Sequence, residues 1–258
     1  MKNKRFSEID AIRGLAVLAM IIYHVLFDLS TLNLLEIRIG TPILEITADV
    51  TAATFFTVVG VSLYISYYRS RSRYEGILKL SRKYLIRAAK LLAMGGIITG
   101  ITFFLYPELV VIFGALQFIA VAIFLGYLGL ELTYSWKKST RITFLILVSA
   151  IIFVLSGRVR AVRVDYPFLL WLGVIPSGFQ SLDYFPLFPW LGYVIGGLAL
   201  GDLLYPGGKR KLEFYSFGNE PAEFFGRHAL VLYFLHQPLI YLGIIVFSFI
   251  SGGSIPFS

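Results

Sequence analysis

Two histidines, His24 and His236, stand deep inside apolar stretches of the sequence. A polar side chain at such depth costs free energy unless it has a partner or a task, so each marks a candidate functional position. His24 lies about 16 Å beyond Arg13 along a helix, and His236 about 13 Å beyond Arg227, at 1.5 Å per residue. The two therefore reach similar depth near a membrane midplane, which is the strongest internal sign of a buried site. Asp28 follows His24 at i+4, a spacing that puts both side chains on one helix face. A carboxylate there can fix the imidazole tautomer and stabilise its protonated form, the orienting role in base catalysis. The plainer alternatives are a histidine that only hydrogen-bonds a neighbouring helix and an aspartate solvated at the headgroup level. Gln117, again at mid-membrane depth, can serve a ligand or simply an adjacent helix.

A second group lies where those stretches begin. Arg5, Asp10 and Arg13 open the first apolar run, Arg82, Lys83 and Arg87 lead into the third, and Arg227 leads into the last. Guanidinium groups bind phosphate oxygens in a bidentate fork, and anionic lipid headgroups call for the same charges. Arg13 can also pair with Asp10 at i+3. Three histidines, no cysteines and no HExxH give no basis for a metal site, and none is expected. No phosphate-binding glycine loop and no Gly-x-Ser-x-Gly elbow occurs.

The elements that position these residues follow from composition. Only 15% of the chain is charged and 57% is hydrophobic, against about 25% charged in soluble domains, so an integral membrane protein is expected. At roughly 20 apolar residues per crossing, the spans fall at about 11–29, 47–67, 85–105, 109–130, 142–156, 186–205 and 226–250. This predicts an all-α protein of seven transmembrane helices with a cytoplasmic N-terminus, forming a single transmembrane domain over 1–258. The apolar run from Phe168 to Ser177 is too short to span and reads as an interfacial or re-entrant piece. Whether segment 166–182 crosses is left open. The basic start resembles a signal peptide, but no small-residue cleavage site follows, and a retained first helix is expected.

The net charge of +8 sits at the ends of the spans, as the positive-inside rule expects, which argues against a nucleic-acid partner. All but Arg38, Arg158, Arg160 and Arg163 of the 23 lysines and arginines fall on the cytoplasmic side in this topology. The last three lie beside Asp165 and are either solvated loop charges or a site for an external anionic group. Glycines four apart, at Gly96/Gly100, Gly192/Gly196 and Gly197/Gly201, are expected to let helix backbones approach closely. A homodimer is compatible with these pairs, but packing within one chain explains them better.

The opening RFSEIDAIRGLAVLAMIIYHVLFDL resembles the first helix of the heparan-α-glucosaminide N-acetyltransferase-like family, a branch of the transmembrane acyltransferases that includes the acyltransferase-3 proteins. The resemblance continues through FFTVVGVSLYIS, FGALQFIAVA, DYFPLFPWLGYVIGGLALG and GRHALVLYFLHQPLIY, in order along nearly the whole chain. It implies an enzyme of the plasma or inner membrane that takes an acyl group, expected to be acetyl, from cytosolic acyl-CoA (acetyl-CoA) and hands it to a sugar or other small acceptor. The phosphates would meet Arg13, with Arg5, Arg82 and Arg87, and Asp10, Gln117 and Arg227 would belong to the same acyl-CoA site. His24, oriented by Asp28, would deprotonate the acceptor's hydroxyl or amine. His236 or Gln117 would position the thioester or the acceptor. Trp171, Tyr184 and Trp190 are either sugar-stacking faces or part of an interfacial aromatic belt beside the membrane lipids. The rival class is a proton-coupled transporter or flippase that uses the histidines as a relay.

Overall fold

A computed structural model describes residues 5–32, 34–35, 41–74, 76–164, 166–211 and 220–250. Arg38 and Asp165 lie outside these. The described residues form eight helices and no strand: α1 (Ser7–Thr31), α2 (Pro42–Arg71), α3 (Ile77–Leu105), α4 (Ala115–Leu132), α5 (Lys138–Ala161), α6 (Leu187–Leu204), α7 (Glu220–Arg227) and α8 (Ala229–Ile250). All but α7 are long and apolar enough to cross a membrane, so the chain is a multi-pass, all-α membrane protein with seven candidate spans. It divides into two compact units. One comprises Met1–Phe55 with Phe214–Ser258, the other Phe56–Glu213, and α2 runs from the first into the second.

In the first unit α1 packs on α7 backbone to backbone. A Cβ on Gly14 would lie 1.9 Å from the Ala222 carbonyl oxygen, and one on Gly226 would lie 1.7 Å from that of Asp10. Only glycine permits this approach, the same device that joins membrane helices through small residues. Glu8 and Asp10 in the first turn of α1 also complement the positive end of its dipole.

In the second unit α2 and α6 close on Gly60 and Gly197, whose added Cβ atoms would meet the carbonyl oxygens of Val194 at 2.1 Å and Thr57 at 2.2 Å. Gly192 faces the Phe153 ring of α5 and Gly196 the Ser149 hydroxyl, whereas among the described residues nothing lies within 4 Å of a Cβ added at Gly96 or Gly100. The packing expected of the glycine pairs thus holds on α6 and is not seen on α3.

Three span boundaries shift for local reasons. The fourth helix begins at Ala115, not near 109. The Thr102 hydroxyl accepts the Val111 N–H (3.1 Å) and the Thr99 hydroxyl donates to the Val111 carbonyl (2.6 Å), holding this apolar strip outside a helix. The Ala115 N–H is then capped by the Asp183 carboxylate at 3.0 Å. The fifth helix continues to Ala161, with Arg158 and Arg160 in its last turn, where cations suit the dipole. The seventh stretch is two helices, α7 and α8. Between Tyr166 and Pro186 the chain forms one 3₁₀ turn, Pro167–Leu169, and loops rather than a crossing. The Leu187 and Phe188 N–H groups bond the Trp171 and Leu172 carbonyls, tying this segment to the start of α6.

Candidate functional site

The first unit brings the two histidines together. The rings of His24 on α1 and His236 on α8 lie 4.8 Å apart between centroids, tilted by 54°, and Tyr23 meets His24 edge-on at 5.6 Å. His236 is 8% exposed, and its Nδ1 lies 2.6 Å from the Tyr233 carbonyl oxygen. A carbonyl can only accept, so Nδ1 carries the proton and donates. In the neutral ring Nε2 is therefore the lone-pair nitrogen. It is buried and has no hydrogen-bond partner among the described residues.

Asp28 is 3% exposed, but no hydrogen bond joins it to His24 among the described residues. The side chain of Gln237 on α8 lies near its carboxylate. The i+4 spacing puts Asp28 and His24 on one face, and α8 brings an amide close to the carboxylate. Among the described residues Asp28 Oδ2 and Gln237 Oε1, like His236 Nε2, are buried without a hydrogen-bond partner. Sequence reasoning passed over Gln237. Its signal was plain enough: an amide beside a membrane histidine is a polar group at the same depth.

At the N-terminal end of α1, Arg13 takes up the pairing with Asp10, Nη1 to Oδ1 at 2.7 Å, and also donates to the Gly226 carbonyl at 3.3 Å. It thereby pins α1 to α7. Arg227 lies 4.0 Å from Glu223 on the same helix, and Arg5 is exposed. Arg82 and Arg87 are exposed on α3 of the second unit. Gln117 is engaged structurally within that unit. Its carbonyl oxygen accepts the Gly114 N–H at 3.2 Å and its amide donates to Thr99 at 3.0 Å.

The aromatic candidates separate. Trp190 is buried against the rings of Phe56, Phe185 and Tyr193 and belongs to the core. Trp171 is 43% exposed. The Tyr184 hydroxyl donates to the Leu170 carbonyl at 2.8 Å, and burial pushes its pKa up to about 12, so it stays a donor.

Seven candidate spans, and within the first unit a half-buried His24 against a buried His236, define a polytopic membrane protein with polar side chains clustered inside one unit. The chain belongs to the family described as heparan-alpha-glucosaminide N-acetyltransferase, catalytic, whose sequence model matches residues 5–238. That stretch runs from Arg5 through Gln237 and so contains every candidate residue above. The chain is accordingly a membrane transferase of an N-acetyltransferase family. No curated protein and no solved structure matches it.

Proposed function

We propose that the protein transfers an acetyl group from acetyl-CoA to an amine or hydroxyl of a small, sugar-like acceptor, with His236 Nε2 as general base. The observation that carries this reading is the buried Nε2 lone pair of His236, left on that nitrogen by the Nδ1–H bond to Tyr233, on a ring 4.8 Å from that of His24. Proton transfer by a positioned side chain typically contributes 10²–10⁴-fold. Nε2 takes the proton as the acceptor's nitrogen or oxygen bonds to the thioester carbon. The carbon–sulfur bond then breaks, and the departing thiolate takes the proton back from Nε2. The Tyr233 carbonyl supports the transient imidazolium through Nδ1–H, and His24 lines the opposite side. Arg13, held by Asp10, would meet the nucleotide phosphates together with Arg5 and Arg227. From Arg13 to His24 is about 16 Å along α1, a distance suited to an extended pantetheine arm.

The test is acetyl-CoA binding by calorimetry in detergent, alongside labelled acetyl transfer to a panel of amines and alcohols. Wild type should bind, Arg13→Ala should bind more weakly, and His236→Gln should bind normally while losing transfer by roughly 10²–10⁴-fold. Failure of wild type to show saturable binding up to millimolar acetyl-CoA would overturn the reading and favour proton-coupled transport through the histidine pair.

A further inference from the structure

In the second unit Lys83 of α3 is half-buried and turned towards α2. Its ammonium donates to the Ser66 hydroxyl at 3.0 Å and to the Ser70 hydroxyl, and it lies 4.9 Å from the centre of the Tyr84 ring. These partners are all neutral, and no carboxylate of the described residues forms an ion pair with it. The charged groups that act on it, Arg87 and Arg73, are of its own sign. A hydroxyl that accepts from an ammonium keeps its own proton to donate, so Ser66 and Ser70 add donors to the cation.

The rest of α3 deepens the imbalance. Lys79, Arg82, Lys83, Arg87 and Lys90 crowd its first half, and the helix carries no aspartate or glutamate. Lys79 stands at the positive end of the helix dipole, where an anion is favoured and a cation is not. Glu131 and Asp202 of the same unit are already engaged by Arg71 and Arg141. Cations and hydroxyl donors in this arrangement are complementary to a phosphate group. Lys83 lies about 9 Å along α3 from Ile77, within reach of a bilayer surface that carries anionic headgroups. Leu85 and Ile86, both exposed, follow Arg82 at i+3 and i+4 and give an acyl chain an apolar strip beside the charges. A soluble phosphate brings nothing to cover that strip.

We infer that the first half of α3 and the facing hydroxyls of α2 bind the phosphate of an anionic lipid headgroup, with Lys83 at the centre and Arg87 at the rim. This does not rest on the acetyl-transfer reading. The lipid would tie α2 to α3 through Ser66, Ser70 and Lys83.

The experiment follows the midpoint of thermal unfolding of the full chain in a neutral detergent, with three probes added separately: dioleoyl phosphatidylglycerol, dioleoyl phosphatidylcholine and inorganic phosphate. Phosphatidylglycerol should raise the wild-type midpoint by roughly 3 °C or more, and the other two should leave it unchanged. Lys83→Met should need roughly tenfold more phosphatidylglycerol for the same rise, and Arg87→Gln roughly fivefold more. Arg87 is exposed, so its variant decides the matter if Lys83→Met does not fold. Acetyl-CoA affinity of Lys83→Met, measured by calorimetry, should match that of wild type. Equal responses to the two lipids, or a phosphatidylglycerol response unchanged by the substitutions, would overturn the site. Inorganic phosphate as effective as phosphatidylglycerol would make the ligand a soluble anion and overturn the lipid assignment. Weakened acetyl-CoA binding by Lys83→Met would give the cluster to the donor substrate and overturn it as well.

Discussion

The two units treat buried polar groups in opposite ways. In the second, Arg141 donates from Nε to Asp202 at 2.6 Å, the Tyr64 hydroxyl donates to the other carboxylate oxygen at 2.8 Å, and the guanidinium lies over Tyr68. Nearby, Glu131 receives Arg71 at 3.1 Å and the Tyr67 hydroxyl at 2.7 Å. Both carboxylates are thus matched oxygen by oxygen, and the Tyr68 hydroxyl is the one atom of this set left unpartnered. In the first unit Asp28 Oδ2, His236 Nε2 and Gln237 Oε1 have no hydrogen-bond partner among the described residues. A membrane interior penalises both arrangements unless partners are found. Where the protein supplies the partners, the polar groups hold helices together. Where no partner stands among the described residues, the proposed reaction would give the groups their use.

Variants should separate these uses by their effect on stability. The largest effect belongs to the glycine contact. Gly226→Val places a side chain where even a Cβ meets the Asp10 carbonyl oxygen at 1.7 Å. The α1–α7 packing should fail, with a cost above about 4 kcal/mol and loss of folded protein by size-exclusion chromatography. Next comes Asp202→Asn, which leaves the buried Arg141 cation without its counter-charge and should cost about 3–5 kcal/mol. A large drop in the midpoint of thermal unfolding in detergent is the expected readout, with acetyl-CoA binding retained by the molecules still folded. A normal midpoint would remove the structural role assigned to this network.

Much of the frame was legible in the sequence, because an apolar run of crossing length reports itself. Seven spans were expected and seven candidates are found. The start of α4 was not legible. Leu109–Phe113 is as apolar as a span, and it is held outside a helix by the hydroxyls of Thr99 and Thr102 on the preceding helix and by bonds from Ser181, Leu182 and Phe185 far along the chain. The same holds at the site. The similar depth of His24 and His236 follows from counting residues along two helices. The partner of Asp28 depends on which side chain α8 presents to α1, and spacing within α1 alone pointed to His24. Arg141 and Asp202 went unremarked because each lies near a span end, where charge is ordinary, and their burial arises only from packing across α5 and α6.

A smaller effect is expected from Glu131→Gln. Its partner Arg71 has a side chain 27% exposed, so water can take up the released charge, and the loss should be about 1 kcal/mol. A drop equal to that of Asp202→Asn would mean that the two carboxylates form one cooperative network rather than two.

The smallest change in stability should come from His236→Leu, and it is the sharpest test of the contrast. The substitution removes the buried Nε2 acceptor, which has no partner to lose, together with the Nδ1 donor to Tyr233. Replacing an unsatisfied polar group by an apolar one of similar size is close to neutral or stabilising, so the unfolding free energy should stay within about 1 kcal/mol of wild type. Transfer activity should nevertheless fall by the full factor expected for loss of the base. A variant as unstable as Asp202→Asn would place His236 among the structural polar groups. A stable but inactive one would mean that the first unit leaves its acceptors open for chemistry, at a cost in stability that the second unit avoids by pairing.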